Sequence, residues 1–197
     1  MKRVSVFAIG LLIAGFAGFQ YPHDAFGQAA AGFTTLFNGS NLNAFNAIGN
    51  ANWSVADGVV QANMGTGFLV TKATYGDFQI KLEFWVDDDA NSGVFIRCSN
   101  PQEITAMNAY EVNIFDKRPD QAYRTGGIVD VAKPSSIINT GGKWNTYEIT
   151  AQGPRMIVTL NGTRTVDVQH SGHARGPVAL QYGAGIVKFR NVQIRPM

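Results

Sequence analysis

Charge is scarce in this 197-residue chain. Only 15% of its residues are Asp, Glu, Lys or Arg, and 16 basic against 14 acidic residues leave a formal charge of +2. No stretch concentrates Lys and Arg, so the basic footprint that nucleic acid or an acidic membrane surface requires is missing. There is a single cysteine, Cys98, which excludes an internal disulfide, and no acid–base signature beside it makes it a nucleophile. A small, partly buried role is expected for it. Of three histidines, His170 and His173 flank Ser171-Gly172 with no third ligand in view, and Asp87-Asp88-Asp89 lacks an EF-hand pattern. No metal ligands are assigned and no cofactor is expected, with a divalent metal left open. An amphipathic 3.6-residue period is also absent after residue 33, and no internal repeat is visible.

What is abundant points the other way. Thirteen Phe and 22 Gly suit many short strands joined by tight turns. Alternating runs stand at Phe33–Phe37, Trp53–Val55, Val59–Ala62, Gly67–Val70, Phe78–Val86, Val94–Cys98, Tyr110–Phe115, Trp144–Ala151, Arg155–Asn161, Thr163–Val168, Pro177–Tyr182 and Ile186–Arg195. Asn161-Gly162 between two β-rich runs is a hairpin signal, because both central residues of a type I′ turn need positive φ. So many strands without helices between them predict an all-β sandwich of two antiparallel sheets. Phe78, Ile80, Leu82, Val94, Ile96, Val112 and Ile114 form the apolar sides of their strands and are expected in its core.

The N-terminus reads differently. Met1-Lys2-Arg3 precedes an apolar run, Val4 to Phe19, then a polar break and small residues through Ala31. The run is shorter than the ~18–20 residues of a membrane span, which favours a cleaved signal peptide. Residues 1–27 are expected to be the leader, with Ala25-Phe26-Gly27 at the cleavage site, 28–32 a short linker and 33–197 a single domain. The mature chain is then periplasmic or secreted.

The chemistry centres on Tyr110-Glu111-Val112-Asn113-Ile114-Phe115-Asp116. Val112 and Ile114 take one face of this strand, Glu111 and Asn113 the other, as befits a strand lining a polyhydroxylated ligand. The order E-x-N-x-x-D is similar to the E-x-D-x-x-E strand of laminarinase-type β-glucanases, and Asp116 would rejoin the face of Glu111 only across a bulge. In Val94-Phe95-Ile96-Arg97, alternation puts Arg97 on the open face, where it could grip hydroxyls or a developing oxyanion. Lys81 and Glu83 lie on the polar side of their strand, with Trp85 or Trp53 as aromatic platforms. Surface ion pairs are the plainer alternative for Arg97, Lys81 and Glu83. One concave face carrying Lys81, Glu83, Arg97, Glu111, Asn113 and Gln181 is the expectation.

A series of short blocks in order is more specific. Leu36-Phe37-Asn38-Gly39, Tyr75-Gly76-Asp77-Phe78, Asn91-Ser92-Gly93-Val94-Phe95-Ile96-Arg97, Tyr110-Glu111-Val112, Thr125-Gly126-Gly127-Ile128, Lys143-Trp144-Asn145-Thr146-Tyr147-Glu148-Ile149, Gly176-Pro177-Val178-Ala179-Leu180-Gln181 and Phe189-Arg190-Asn191-Val192 together resemble the 3-keto-disaccharide hydrolase domain family, over about Phe33 to Pro196. The resemblance implies a concanavalin A-like jelly roll and action on 3-keto sugars made by a partner glycoside 3-dehydrogenase. The chain departs from the family at Asn113, where Gln is frequent, at Val129, where an aromatic is frequent, and near Tyr182, where His is frequent. On this resemblance Glu111 would be a base that removes the C2 proton, Arg97 an enolate or hydroxyl anchor, and Asn113 and Gln181 orienting groups. Direct hydrolysis by Glu111 and Asp116 is the other route, and a non-catalytic carbohydrate-binding module or an exported interaction domain the other classes of function.

Overall fold

The structure is a computed structural model and describes residues 32–197. The leader expected over 1–27, and all but the last residue of the linker, lie outside the described residues. Thirteen strands follow in chain order: β1 Thr34–Phe37, β2 Phe45–Gly49, β3 Ser54–Ala56, β4 Val59–Ala62, β5 Gly67–Thr71, β6 Phe78–Val86, β7 Ser92–Ile96, β8 Tyr110–Ile114, β9 Trp144–Gln152, β10 Arg155–Leu160, β11 Thr163–Gln169, β12 Ala179–Tyr182 and β13 Val187–Pro196. Among the described residues, one 3-10 turn at Gln121–Tyr123 is the only helical element, opened by the Asp120 side chain accepting from the Ala122 N–H.

The strands form two antiparallel sheets. The larger runs β11-β10-β9-β6-β13-β4-β3, with β1 also on β13; the smaller runs β2-β5-β12-β7-β8. Strand β13 serves both β4 and β1 because a bulge at Asn191, whose φ is 51°, shifts its register between Arg190 and Gln193. This is the two-sheet jelly roll expected, and its core follows from alternation. Phe78, Ile80, Leu82 and Phe84 of the larger sheet face Val94, Ile96, Val112, Ile114 and Leu180 of the smaller one, each at most 2% exposed. Asn161-Gly162 forms the β10–β11 turn with φ of 50° and 79°, and Asp57-Gly58 turns β3 into β4 in the same way.

One core side chain ties the two sheets together at the strand that carries Glu111. The Tyr147 hydroxyl, from β9, donates to the Asn113 carbonyl at 2.6 Å and accepts from the Gly126 N–H at 2.8 Å. The segment after the 3-10 turn then closes the free edge of β8: the Asn113 N–H donates to the Gly127 carbonyl and the Val129 N–H to the Glu111 carbonyl. The block Thr125-Gly126-Gly127-Ile128 is thereby explained as an edge cover. Gly127 is glycine because a Cβ there would meet Pro134 Cδ at 2.9 Å and the Ala132 carbonyl at 3.0 Å.

Candidate active site

The outer face of the smaller sheet carries the site. Since Val94, Ile96, Val112, Ile114 and Leu180 point into the main core, Gly93, Phe95, Glu111, Asn113, Ala179 and Gln181 point outward. Part of this face is roofed by the loop between β7 and β8: Cys98, Ile104 and Ala109 pack on Val70, Phe95 and Ala179 in a second apolar cluster. Burial pushes the Cys98 thiol up to about 12, so it is an inert packing group, as expected.

Gly93 lies at the centre of the remaining polar patch. A Cβ built there would come within 3.3 Å of Glu111 Cγ and 3.4 Å of Gln181 Oε1, so bare backbone separates the carboxylic acid from the amide. Asn113 pairs with Gly93 across β7 and β8. Its Nδ2 donates to the Tyr123 carbonyl, which fixes the amide orientation. Asn113 Oδ1 and Gln181 Oε1 are both buried with no hydrogen-bond partner among the described residues. Buried polar atoms are normally paired; the Gln181 oxygen stands beside Gly93 with Glu111, while Asn113 is wholly buried.

Glu111 is 9% exposed. Burial raises its pKa to about 7, with the Asp130 carboxylate pushing the same way and the Arg118 guanidinium pulling against both. A carboxyl held near neutrality is what a general base at physiological pH needs. Arg118 itself is half-buried, and its Nε has no hydrogen-bond partner among the described residues. It is therefore the cation available to this site.

Five of the residues expected here are elsewhere. Lys81, Glu83 and Trp85 are on the outer face of the larger sheet, across the whole sandwich. Lys81 pairs with Glu148 at 3.1 Å, Glu83 binds Arg190 and Asn191, and Lys188 lies 4.7 Å over the Trp85 ring. Their alternation correctly put them on an open face; nothing in a two-residue period says which sheet that face belongs to. Trp53 is no platform either, packed against Tyr182 and Phe189 with its Nε1 buried.

Arg97 leaves the face for a local reason. Strand β7 ends at Ile96, and Arg97 adopts a left-handed φ of 54°, which breaks the alternation. Its guanidinium turns to one end of the sandwich, donating to the carbonyls of Gly76, Gly153 and His173 and pairing with Asp77 at 3.0 Å. Asp116 is also withdrawn. No bulge interrupts β8, so its carboxylate falls on the side away from Glu111 and accepts from the Thr140 N–H and hydroxyl and the Gly141 N–H, with Arg124 3.5 Å away. It pins two loops.

Glu111, Asn113 and Gln181 are thus brought together, and Arg97, Asp116, Lys81, Glu83 and Trp85 are not. Gly93, Arg118 and Asp130 join the site without having been singled out for it. The block Asn91-Ser92-Gly93 contained the first as a turn residue. Arg118 and Asp130 lie in loops, where spacing carries no information about direction. Among the described residues, no three His, Cys, Asp or Glu side chains gather where they could hold a metal ion.

The fold is an all-β, concanavalin A-like jelly roll of two antiparallel sheets. The family is more specific: the model of the 3-keto-alpha-glucoside-1,2-lyase-like domain matches residues 32–195, and the chain belongs to that family. A crystal structure of a candidate glycosyl hydrolase from Parabacteroides distasonis ATCC 8503 superposes with a TM-score of 0.75 at 20% identity, covering 84% of this chain and 94% of that one. A second such protein from the same organism gives 0.71 at 24% identity, covering 84% and 99%. A carbohydrate binding module from Bacillus subtilis gives 0.60 at 19% identity, covering 83% and 95%. These likenesses establish the fold. No curated protein matches the sequence.

Proposed function

We propose that the protein cleaves the glycosidic bond of 3-keto-glycosides by elimination and hydration at Glu111. The family supports a carbohydrate-directed, hydrolase-like role, and one observation carries the finer reading: the outer face of the smaller sheet holds one buried carboxyl, raised to about 7, beside the unpartnered amide oxygen of Gln181. Hydrolysis through an oxocarbenium ion needs two carboxyl groups flanking the bond. Asp116 is bound elsewhere, and Asp130 is exposed at the rim.

A 3-keto group acidifies the C2 proton, because the carbanion left behind is an enolate. Glu111 takes that proton. The C2–H electron pair then becomes the C1–C2 double bond, the C1–O bond breaks, and the leaving oxygen departs with the pair and collects a proton. Water adds back, hydroxyl to C1 and proton to C2, giving a 3-keto sugar and the freed alcohol. Arg118 takes the part assigned from the sequence to Arg97, supplying positive charge as the enolate forms. Gln181 accepts from a sugar hydroxyl, and Asn113, wholly buried, ties the strand of Glu111 to the Tyr123 carbonyl. The supply of such a substrate requires an enzyme that oxidises glycosides at C3, a glycoside 3-dehydrogenase.

The test runs 3-keto-glucosides and ordinary glucosides side by side in deuterated water. Cleavage of the keto compounds alone, with deuterium at C2 of the product, is the expected result. Cleavage of both without C2 label would replace elimination by direct hydrolysis, and sugar binding without cleavage would leave a carbohydrate-binding module.

We also propose that the protein acts outside the cytoplasm, on the basic start, short apolar run and small residues of the first 31 positions. The exported protein should have an intact mass lacking roughly the first 27–31 residues. A soluble product retaining Met1 would overturn this.

A further inference from the structure

The amide of the site, Gln181, stands where the smaller sheet leaves its regular ladder. Strands β7 and β12 are in register at Phe95 with Ala179 and at Val94 with Leu180. They meet again at a bridge between Asn91 and Ala184. Between those points the β12 side has three residues, Gln181, Tyr182 and Gly183, and the β7 side has two, Ser92 and Gly93. The surplus residue makes a bulge, and a bulge re-aims the side chains beside it.

The two ends of the bulge are held differently. At the far end the Asn91 carbonyl accepts from the N–H groups of both Gly183 and Ala184. At the near end the bond comes from a side chain: the Ser92 hydroxyl donates to the Gln181 carbonyl at 2.7 Å. Ser92 is 0% exposed, on the inward side of β7 with Val94 and Ile96, where an unbonded hydroxyl would be costly. Its neighbour Gly93 faces outward, and a Cβ there would lie 3.4 Å from Gln181 Oε1. That oxygen has no partner among the described residues, so the backbone beneath it sets its place.

We propose that Ser92 is a positioning residue: by bonding the Gln181 carbonyl at the bulge, it fixes where the Gln181 amide meets the substrate. The proposal rests on Gln181 accepting from a sugar hydroxyl beside Glu111. Ser92 lies inside the sandwich and reaches no substrate, so it acts through Gln181 alone. Without its hydroxyl the near end of the bulge is free to relax, and the amide moves with it. Ala179 and Leu180 stay in their register, and Glu111, carried by β8, keeps its place. Binding of the sugar then weakens while the proton transfer is untouched.

The experiment is a double-mutant cycle on the methyl 3-keto-α- and β-glucosides, with wild type, Ser92→Ala, Gln181→Ala and the double variant. Each single change should raise KM about 5–10-fold, with kcat within about twofold and its pH dependence unmoved. The double variant should be no worse than Gln181→Ala, because Ser92 has nothing left to position. Losses that multiply in the double variant, a fall in kcat, or an unchanged KM in Ser92→Ala would overturn the proposal. Should Ser92→Ala not fold, Ser92→Cys, of similar shape with a weaker donor, takes its place in the cycle. If wild type turns over neither compound, the reading of the reaction has failed, and NMR on the free protein decides the positioning separately. A side-chain amide of Gln181 that is ordered in wild type and loses its heteronuclear NOE in Ser92→Ala upholds it. An amide equally ordered, or equally mobile, in both overturns it.

Discussion

Glu111→Gln should lose turnover on the order of 10²–10⁴-fold while becoming more stable than the parent at alkaline pH. Both effects come from one cause. The carboxyl is buried, its pKa is raised to about 7, and the folded state therefore resists its ionisation. Between the unfolded value of 4.5 and about 7 the native state holds more protons than the unfolded chain, so stability falls as pH rises through that window. The loss is complete above about 7 and is worth about 3 kcal/mol. An uncharged Gln of the same shape removes this dependence. Denaturant titrations should show the two proteins equal near pH 4 and the variant about 3 kcal/mol ahead near pH 9. The parent's kcat/KM should rise with pH through about 7, as the base ionises. Full turnover in the variant would remove Glu111 from the reaction. Turnover lost without the alkaline gain in stability would mean that its carboxyl is not strained by burial.

The two halves of this behaviour were unequally visible in the sequence. Period-2 patterning located most of the strands and the core, because the inward residues of β6, β7 and β8, Ser92 apart, are apolar and face the opposite sheet. It missed β2, Phe45–Gly49, which is an edge strand in an Asn- and Gly-rich stretch where only Phe45 is buried. For the site, alternation placed Glu111 and Asn113 correctly, since β8 runs without a bulge. It placed Lys81 and Glu83 on an open face too, but on the other sheet, because strand order depends on long-range pairing such as β6 with β9 and β13. Arg118 and Asp130 depend on loops folded back over a sheet edge or face. Side-chain spacing along the chain holds no record of that.

Arg97 is the residue where a local backbone change alters the reading most, and removing it should unfold rather than inactivate. Its side chain is almost wholly buried, at 1% exposure for the residue, and it is held at the end of the sandwich by three carbonyls and one carboxylate. Those acceptors come from the start of β6, the β9–β10 turn and the loop before β12, three segments far apart in the chain. Arg97→Met would keep much of the stem and leave the Gly76, Gly153 and His173 carbonyls and Asp77 without their donor. Asp77 is 42% exposed and keeps the Gly153 N–H, so the cost falls on the three carbonyls, at about 1–3 kcal/mol for each left dry and about 3–5 kcal/mol in all. For a chain of this size that lowers Tm by roughly 6–20 °C. Arg97→Lys should recover little, because a single ammonium cannot serve acceptors that meet Nε and both terminal nitrogens of a planar fork. Below the lowered Tm, the fraction that remains folded should have near-normal kcat, since Glu111 and Arg118 are untouched. An anchor for the enolate would behave in the opposite way, with kcat reduced by orders of magnitude and Tm little changed. Thermal denaturation and kcat per folded molecule, measured on the same preparation, separate the two roles.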